Sequence, residues 1–196
     1  MNETIQIIRK RRSIRRFLPQ QLEEEILNQI LEAGRYAPSG GNNQTTHIIV
    51  IQNPNVLEEL RILVEEEFSK MEYLENMYKS LKHSIEASKK GGYRFHYDAP
   101  TLVVVANRIG YGNAMADSAC VLENMMIAAA SLEIGSCWIN QLHWLDENPN
   151  IRQKLYSLGM HTNETICGGL ALGYPIEAMR DLEPLKRVGN PITYIQ

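Results

Sequence analysis

Apolar positions along the chain follow two rhythms, one helical and one of short continuous runs. After Pro19, the segment "QLEEEILNQILEAGRYAPSG" repeats Leu22, Ile26, Ile30 and Ala33 with Leu27 and Leu31 beside them, which predicts a helix with one broad buried face. Pro38 and Gly40 end it. Residues 3–12 predict a shorter helix with Ile5, Ile8 and the stem of Arg12 on one face. Residues 54–90 predict a long polar helical stretch carrying Leu57, Leu60, Leu63, Val64 and Phe68, closed by Gly91 and Gly92. Its later part, residues 68–92, reads as an inserted helical cover. "AMADSACVLENMMIAAASL", residues 114–132, is small or apolar almost all round, as expected of a central helix enclosed by others.

The second rhythm marks strands. "TTHIIVIQN" from Thr45 and "TLVVVAN" from Thr101 are β-branched, and the unbroken apolar run of the latter suggests burial on both faces. "GSCWIN" and "ICGGLALGYP" supply two more. The sum is one α+β domain over residues 1–196, with a central sheet of four or five strands among helices and a Pro-punctuated tail, "LEPLKRVGNPITYIQ". No repeat or linker divides it.

Composition narrows the function classes. The chain has 196 residues, 44% hydrophobic and 22% charged, with a net charge of −3, which fits a globular protein and gives no general attraction to polyanions. Cys120, Cys137 and Cys167 are spaced like neither a disulfide framework nor a paired metal motif, so reduced and mostly buried thiols are expected. No apolar stretch approaches the roughly 20 residues of a membrane span, and no apolar signal segment opens the sequence. A cytoplasmic protein without membrane or nucleic-acid partners is the expectation.

Several motifs lack their chemistry. "GGLALG" at 168–173 is followed by Tyr-Pro where a phosphate loop needs Lys-Ser/Thr and a helix, so a tightly packed strand is expected instead. His47, His83, His96, His143 and His161 show no zincin spacing and no acidic partner at ligand distance in sequence, which predicts no metal. Ser39 and Ser131 lack a nucleophile-elbow context.

Against this background "RKRRSIRRF", residues 9–17, stands out with six basic residues in eight. Three readings are open: a solvated helix end with arginine stems over apolar surface, a nucleic-acid patch, and a site for a cofactor phosphate. The last accounts for Ser13, whose hydroxyl among guanidinium forks suits a phosphate oxygen, and Lys186 and Arg187 on the tail could reach the same anion.

"RRSIRRF" at 11–17, "ILEAGRYAPSGGNNQ" at 30–44, the small-residue helix with "GSCWIN", then "ALGYP" and a late Lys-Arg resemble, in this order, the FMN-dependent nitroreductase family. That resemblance implies a nitroreductase-like α+β fold with a mixed or antiparallel sheet. It also implies a domain-swapped type of homodimer with FMN at the subunit interface, reduced by NADH or NADPH in ping-pong hydride transfer through flavin N5 to a nitroaromatic, quinone or related small acceptor. By position, Arg11, Arg12 and Ser13 would meet the FMN phosphate with Lys186 and Arg187, and Arg15 the pyrimidine edge. Pro38, Ser39, Gly40 and Asn42 would come from the partner subunit, with Gln44 in support, and Asn140 and Gln141 would lie near flavin N5. No catalytic side chain is implied, because the chemistry is the cofactor's. A non-turnover FMN-binding or storage protein, and side branches such as enone reduction or reductive dehalogenation, are the alternatives. Thr45 and Thr46 replace the family's usual Pro-Trp, and "GGYRFHYDAP" at 91–100 offers no placeable flavin contact.

Overall fold

The structure, a computed structural model, describes residues 2–179 and 182–196. Its elements run α1 (Glu3–Lys10), α2 (Glu24–Arg35), a 3₁₀ turn (Gly40–Asn42), β1 (His47–Ile51), α3 (Pro54–Ser69), α4 (Lys79–Lys90), β2 (Thr101–Arg108), α5 (Ala114–Ser131), β3 (Gly135–Ile139), α6 (Gln141–Trp144), α7 (Pro149–Ser157) and β4 (Glu164–Gly173). The sheet order is β1-β2-β4-β3, and every pairing is antiparallel. The four described strands meet the lower of the expected counts.

Both faces of the sheet are covered. Leu102, Val104 and Ala106 face α3, α4, α6 and α7 through Leu60, Phe68, Ile85, Leu142 and Ile151. Val103 and Val105 face α2 and α5 through Ile30, Leu122, Met125 and Ala129. The period-2 alternation of β2 therefore reaches a core on either side, which is why its sequence is a continuous apolar run although the sheet is antiparallel. "GGLALG" lies within β4 as a packed strand, and a Cβ on Gly168 would stand 2.9 Å from Leu122 Cδ1.

The helical stretch expected over 54–90 consists of two helices. Asn53 caps α3 by accepting from the N–H groups of Asn55 and Val56, with Pro54 in the first turn, but the helix stops at Ser69 and residues 70–78 are irregular. Leu60 and Ile85, both fully buried in one cluster, would lie about 37 Å apart on a straight helix rising 1.5 Å per residue. Folding back lets α4 bury Ile85 against the same core as α3, and that gain overrides an unbroken helical propensity. The cover at 68–92 is thus helical mainly from Lys79 onward.

Two further expectations change. On α1, Ile5 and Ile8 stay about half exposed, and Ile7 is the partly buried residue. On α5, the side holding Val121, Leu122, Met125 and Ala129 is buried, but Met115 and Ala116 are exposed and Cys120, Glu123 and Ile127 only partly covered, so one chain encloses one side of that helix. Among the described residues no helix is long and apolar enough to cross a membrane, and the three cysteines are free thiols.

Candidate functional site

The basic run begins on the last turn of α1, where Arg9 and Lys10 complement the helix C-terminal dipole. The chain then turns extended and runs along the open edge of β3: Ser13 forms a parallel bridge with Ser136, Ile14 N–H donates to the Ser136 carbonyl at 2.9 Å, and Phe17 bridges Pro175. This laces an otherwise exposed sheet edge. Alternation along the extended stretch puts Ser13 and Arg15 on one side, and both reach the Cys137 side chain, with Arg11 contributing its charge there. Burial pushes the Cys137 thiol up, partly offset by Arg15, Ser13 and Arg11.

Arg15 continues to Tyr97. Its Nε donates to the phenol oxygen at 3.3 Å and its guanidinium lies 5.7 Å from the ring centroid, a hydrogen bond that, as the largest influence, raises the Arg15 pKa further. Arg12 turns the other way. It donates to the carbonyls of Lys10, Arg11 and Glu183, closing α1 and tying the tail to the turn. Arg11 pairs with Glu123 of α5 at 3.7 Å. Lys186 and Arg187 border a shallow groove with Ile8 and Arg9, so they sit beside the outer face of α1. The turn thus gathers Arg11, Ser13 and Arg15 over β3, and Arg12 anchors rather than points.

Asn140 and Gln141 stand where β3 ends and α6 begins. Trp138 Nε1 donates to Asn140 Oδ1 at 2.6 Å, and the buried Gln141 donates through Nε2 to Tyr93 Oη at 2.8 Å. Tyr93 Oη is also 2.8 Å from Ser84 Oγ of α4. Its pKa is raised chiefly by burial.

The loop after α2 is organised around one buried carboxylate. Gly40 N–H donates to both oxygens of Asp117, at 3.1 and 3.2 Å, and Tyr111 donates to Asp117 Oδ2 at 2.9 Å. Gln44 N–H donates to Ser39 Oγ, and Gly41, Asn42 and Gln44 take left-handed conformations, which Gly and Asn tolerate best. A Cβ on Gly40 would stand 2.1 Å from Asn113 Nδ2 and 2.8 Å from the Tyr111 hydroxyl, so a larger residue there would displace side chains that hold the loop. Pro38, Ser39, Gly40 and Asn42 are thereby brought together, with Gln44 closing the loop as expected.

These two groups lie at opposite corners of the sheet. Ser13 bridges Ser136, which faces Leu172, which faces Thr101, whereas the loop is fastened to the far end of β2 by Thr45 donating to Asn107 at 2.8 Å. The stretch from Thr101 to Asn107 alone spans about 20 Å. Within one chain the two groups are therefore separate surfaces rather than the walls of one enclosed pocket.

A family model described as the Nitroreductase family matches residues 8–174. The chain belongs to the nitroreductase family. It is similar to a nitroreductase with bound FMN from Bacteroides fragilis, 39% identical with 100% of both chains covered and a TM-score of 0.85. A second nitroreductase structure with bound FMN, from Desulfitobacterium hafniense, is 26% identical over 100% of both chains with a TM-score of 0.82. An FMN reductase (NADPH) of Bacillus subtilis is 28% identical over 184 residues, covering 89% of this chain and 67% of that protein.

Two features of this nitroreductase-family chain escaped the sequence. Tyr93 and Tyr97, in the segment that offered no contact, meet Gln141 and Arg15. The signal was a Tyr-x₃-Tyr pair after two left-handed glycines, which fix where the loop turns. Phe95 between them is core, and Tyr78 packs edge-on against Trp144, 5.9 Å between centroids. Secondly, the expectation that no histidine has an acidic partner fails. His47 and His161 both meet Glu164, which folding brings together from two separate stretches of chain.

Proposed function

We propose that the chain is an FMN-dependent NAD(P)H oxidoreductase that works as a homodimer, with each flavin held between the arginine turn of one protomer and the 38–44 loop of the other. The convergence of Ser13, Arg11 and Arg15 on the edge of β3, with the loop half-site too distant to join them in one chain, is the observation that carries this reading. The donor set fits the cofactor. A hydroxyl with guanidinium groups suits a phosphate, and the turn leads from it to Arg15, which stays cationic and would stabilise negative charge at the pyrimidine edge. Gly40, with its backbone drawn close to Asp117 and no side chain, suits a loop against a flat ring.

When bound, FMN supplies the two-electron chemistry, accepting hydride from NADH or NADPH and delivering it to a nitroaromatic, quinone or related acceptor. The protein's part is positional. Tyr97 holds Arg15, Tyr93 holds Gln141 beside the end of β3, and Arg12 ties the tail near Glu183 so that Lys186 and Arg187 stay close to the turn. Residues 70–78 and α4 rest on α6 through Tyr78 and Trp144, next to Gln141, and in this reading they shape the acceptor's entry. Exposed apolar surface supports the second copy: Ile5, Ile8 and Met115, and on the tail Val188, Ile192, Tyr194 and Ile195, the last 97% exposed.

The test is the purified full chain under anaerobic conditions. A yellow dimer whose flavin absorbance bleaches with NADH or NADPH and returns on adding a quinone or nitroaromatic is expected. A colourless chain that cannot be reconstituted with FMN overturns the proposal. Flavin that stays oxidised with both donors marks a binding protein without turnover.

A further inference from the structure

We propose that His47, His161 and Glu164 form a binding site for one divalent transition-metal ion of the zinc class. His47 is the first residue of β1, Glu164 the first of β4, and His161 lies on the turn just before it. His47 Nδ1 is 2.9 Å from Glu164 Oε2, His161 Nδ1 is 3.1 Å from Glu164 Oε1, and the ligand atoms all lie within 4.8 Å of one another. Ligands at about 2.1 Å from one ion stand roughly 3.0–3.4 Å apart in octahedral or tetrahedral arrangement. The two short distances end on different oxygens of the one carboxylate, and drawing both rings onto one ion falls to the exposed His161 ring.

The sheet makes room for this cluster. β1 and β4 are separated by β2, and at this level His47 stands opposite Ala106, which stands opposite Ile166. The β2 side chain at the level of His47 is a methyl group, and Arg108 stands opposite Glu164 itself. The two imidazoles stack at 5.1 Å between centroids with an interplanar angle of 22°, so both present the same nitrogen to the carboxylate between them.

The carboxylate suits a cation. Burial pushes the Glu164 pKa up, but the hydrogen bonds from His47 and from His161, through both its backbone N–H and its ring, outweigh it and hold the group below the ordinary value. Glu164 is buried and charged at neutral pH. A bound ion would take Nδ1 of each ring and a carboxylate oxygen as ligands, in place of the contacts these atoms make with one another. Two imidazoles and a carboxylate select zinc, nickel or copper over magnesium or calcium, and a fourth position is left to water on the exposed side. The ion would tie the start of β1 to the start of β4, fixing Thr45 and Thr46 where the 38–44 loop leaves. This inference does not rest on flavin binding.

The test uses the untagged full chain, treated with EDTA and dialysed, then titrated calorimetrically with Zn²⁺ and followed optically with Co²⁺. One Zn²⁺ per chain, a raised melting temperature and no competition from Mg²⁺ or Ca²⁺ are expected. His161→Ala, at an exposed ring that folding does not need, and His47→Ala should each weaken Zn²⁺ about tenfold or more and abolish the thermal shift. His83→Ala, on the exposed side of α4, should leave both unchanged. Absence of stoichiometric binding, binding insensitive to both His47→Ala and His161→Ala, or equal competition by Ca²⁺ would overturn the site.

Discussion

Replacing Asp117 by alanine should loosen the 38–44 loop and lower stability by about 3 kcal/mol. The carboxylate is 6% exposed and accepts from Gly40 N–H and from the Tyr111 hydroxyl. A hydrogen bond to a charged group contributes roughly 1.5–3 kcal/mol, and the two donors here would together give about 3–6. Tyr111 has a second acceptor in the Gly40 carbonyl at 3.2 Å, so part of its bond is recovered and the lower end applies. For a chain of this length about 3 kcal/mol corresponds to a fall in melting temperature of roughly 6–12 °C. The assay is thermal unfolding at fixed protein concentration, because association alters the midpoint. Tyr111→Phe should cost about 1.5 kcal/mol or more, and the double variant less than the sum of the singles because the two side chains share a bond. A melting temperature unchanged in Asp117→Ala, or strictly additive losses, would refute this account of the loop.

Tyr97→Phe keeps the ring under Arg15 but removes the acceptor of its Nε, so FMN retention measured by equilibrium dialysis should weaken modestly, and Arg15→Ala should weaken it more. An ordering the other way contradicts the positioning role of Tyr97. His96 is buried with no partner for Nδ1 among the described residues, and its pKa is lowered first by burial and also by Arg94 and Arg61, against the opposing pull of Asp98 and Glu58. Its neutral form is therefore the folded form, and the stability it contributes is present above its ordinary pKa of 6.5 and lost as pH falls below that value towards the lowered folded one. Urea unfolding at several pH values should show this slope, and His96→Phe should flatten it. Gly168→Ala should cost about 1–3 kcal/mol in the same assay, since its Cβ would press on Leu122 at 2.9 Å and Trp138 Nε1 at 3.3 Å.

Elements whose pattern is local were legible in the sequence. β1 and β2 appear as runs of Val, Ile and Leu, and the doubly covered β2 showed itself by having no polar face. The break after Ser69 did not, because nothing between residues 70 and 78 is a Gly or Pro, and what ends the helix is the distant core that Ile85 joins. The site divides in the same way. Arg11, Ser13 and Arg15 could be singled out because they lie in one short run, but their neighbours Tyr93 and Tyr97 come from another element and carry no charge pattern. Arg12, alike in sequence, differs in role because its side chain faces the carbonyls at the end of α1. His161 and Glu164 are three residues apart, but their cluster with His47 was hidden because only the β1-β2-β4 pairing brings His47 to them.

The proposed sharing of the flavin between two chains can be tested most directly by mixing two defective chains. Arg15→Ala damages the turn, and Gly40→Ala, whose Cβ would collide with Asn113, damages the loop, so each variant dimer should retain little FMN. In a mixed dimer isolated through two different affinity tags, one interface would carry both defects and the other neither. Recovery of half the wild-type FMN content, reducible by NAD(P)H, is predicted. A mixed dimer as empty as its parents would contradict a flavin shared between the turn of one chain and the loop of the other.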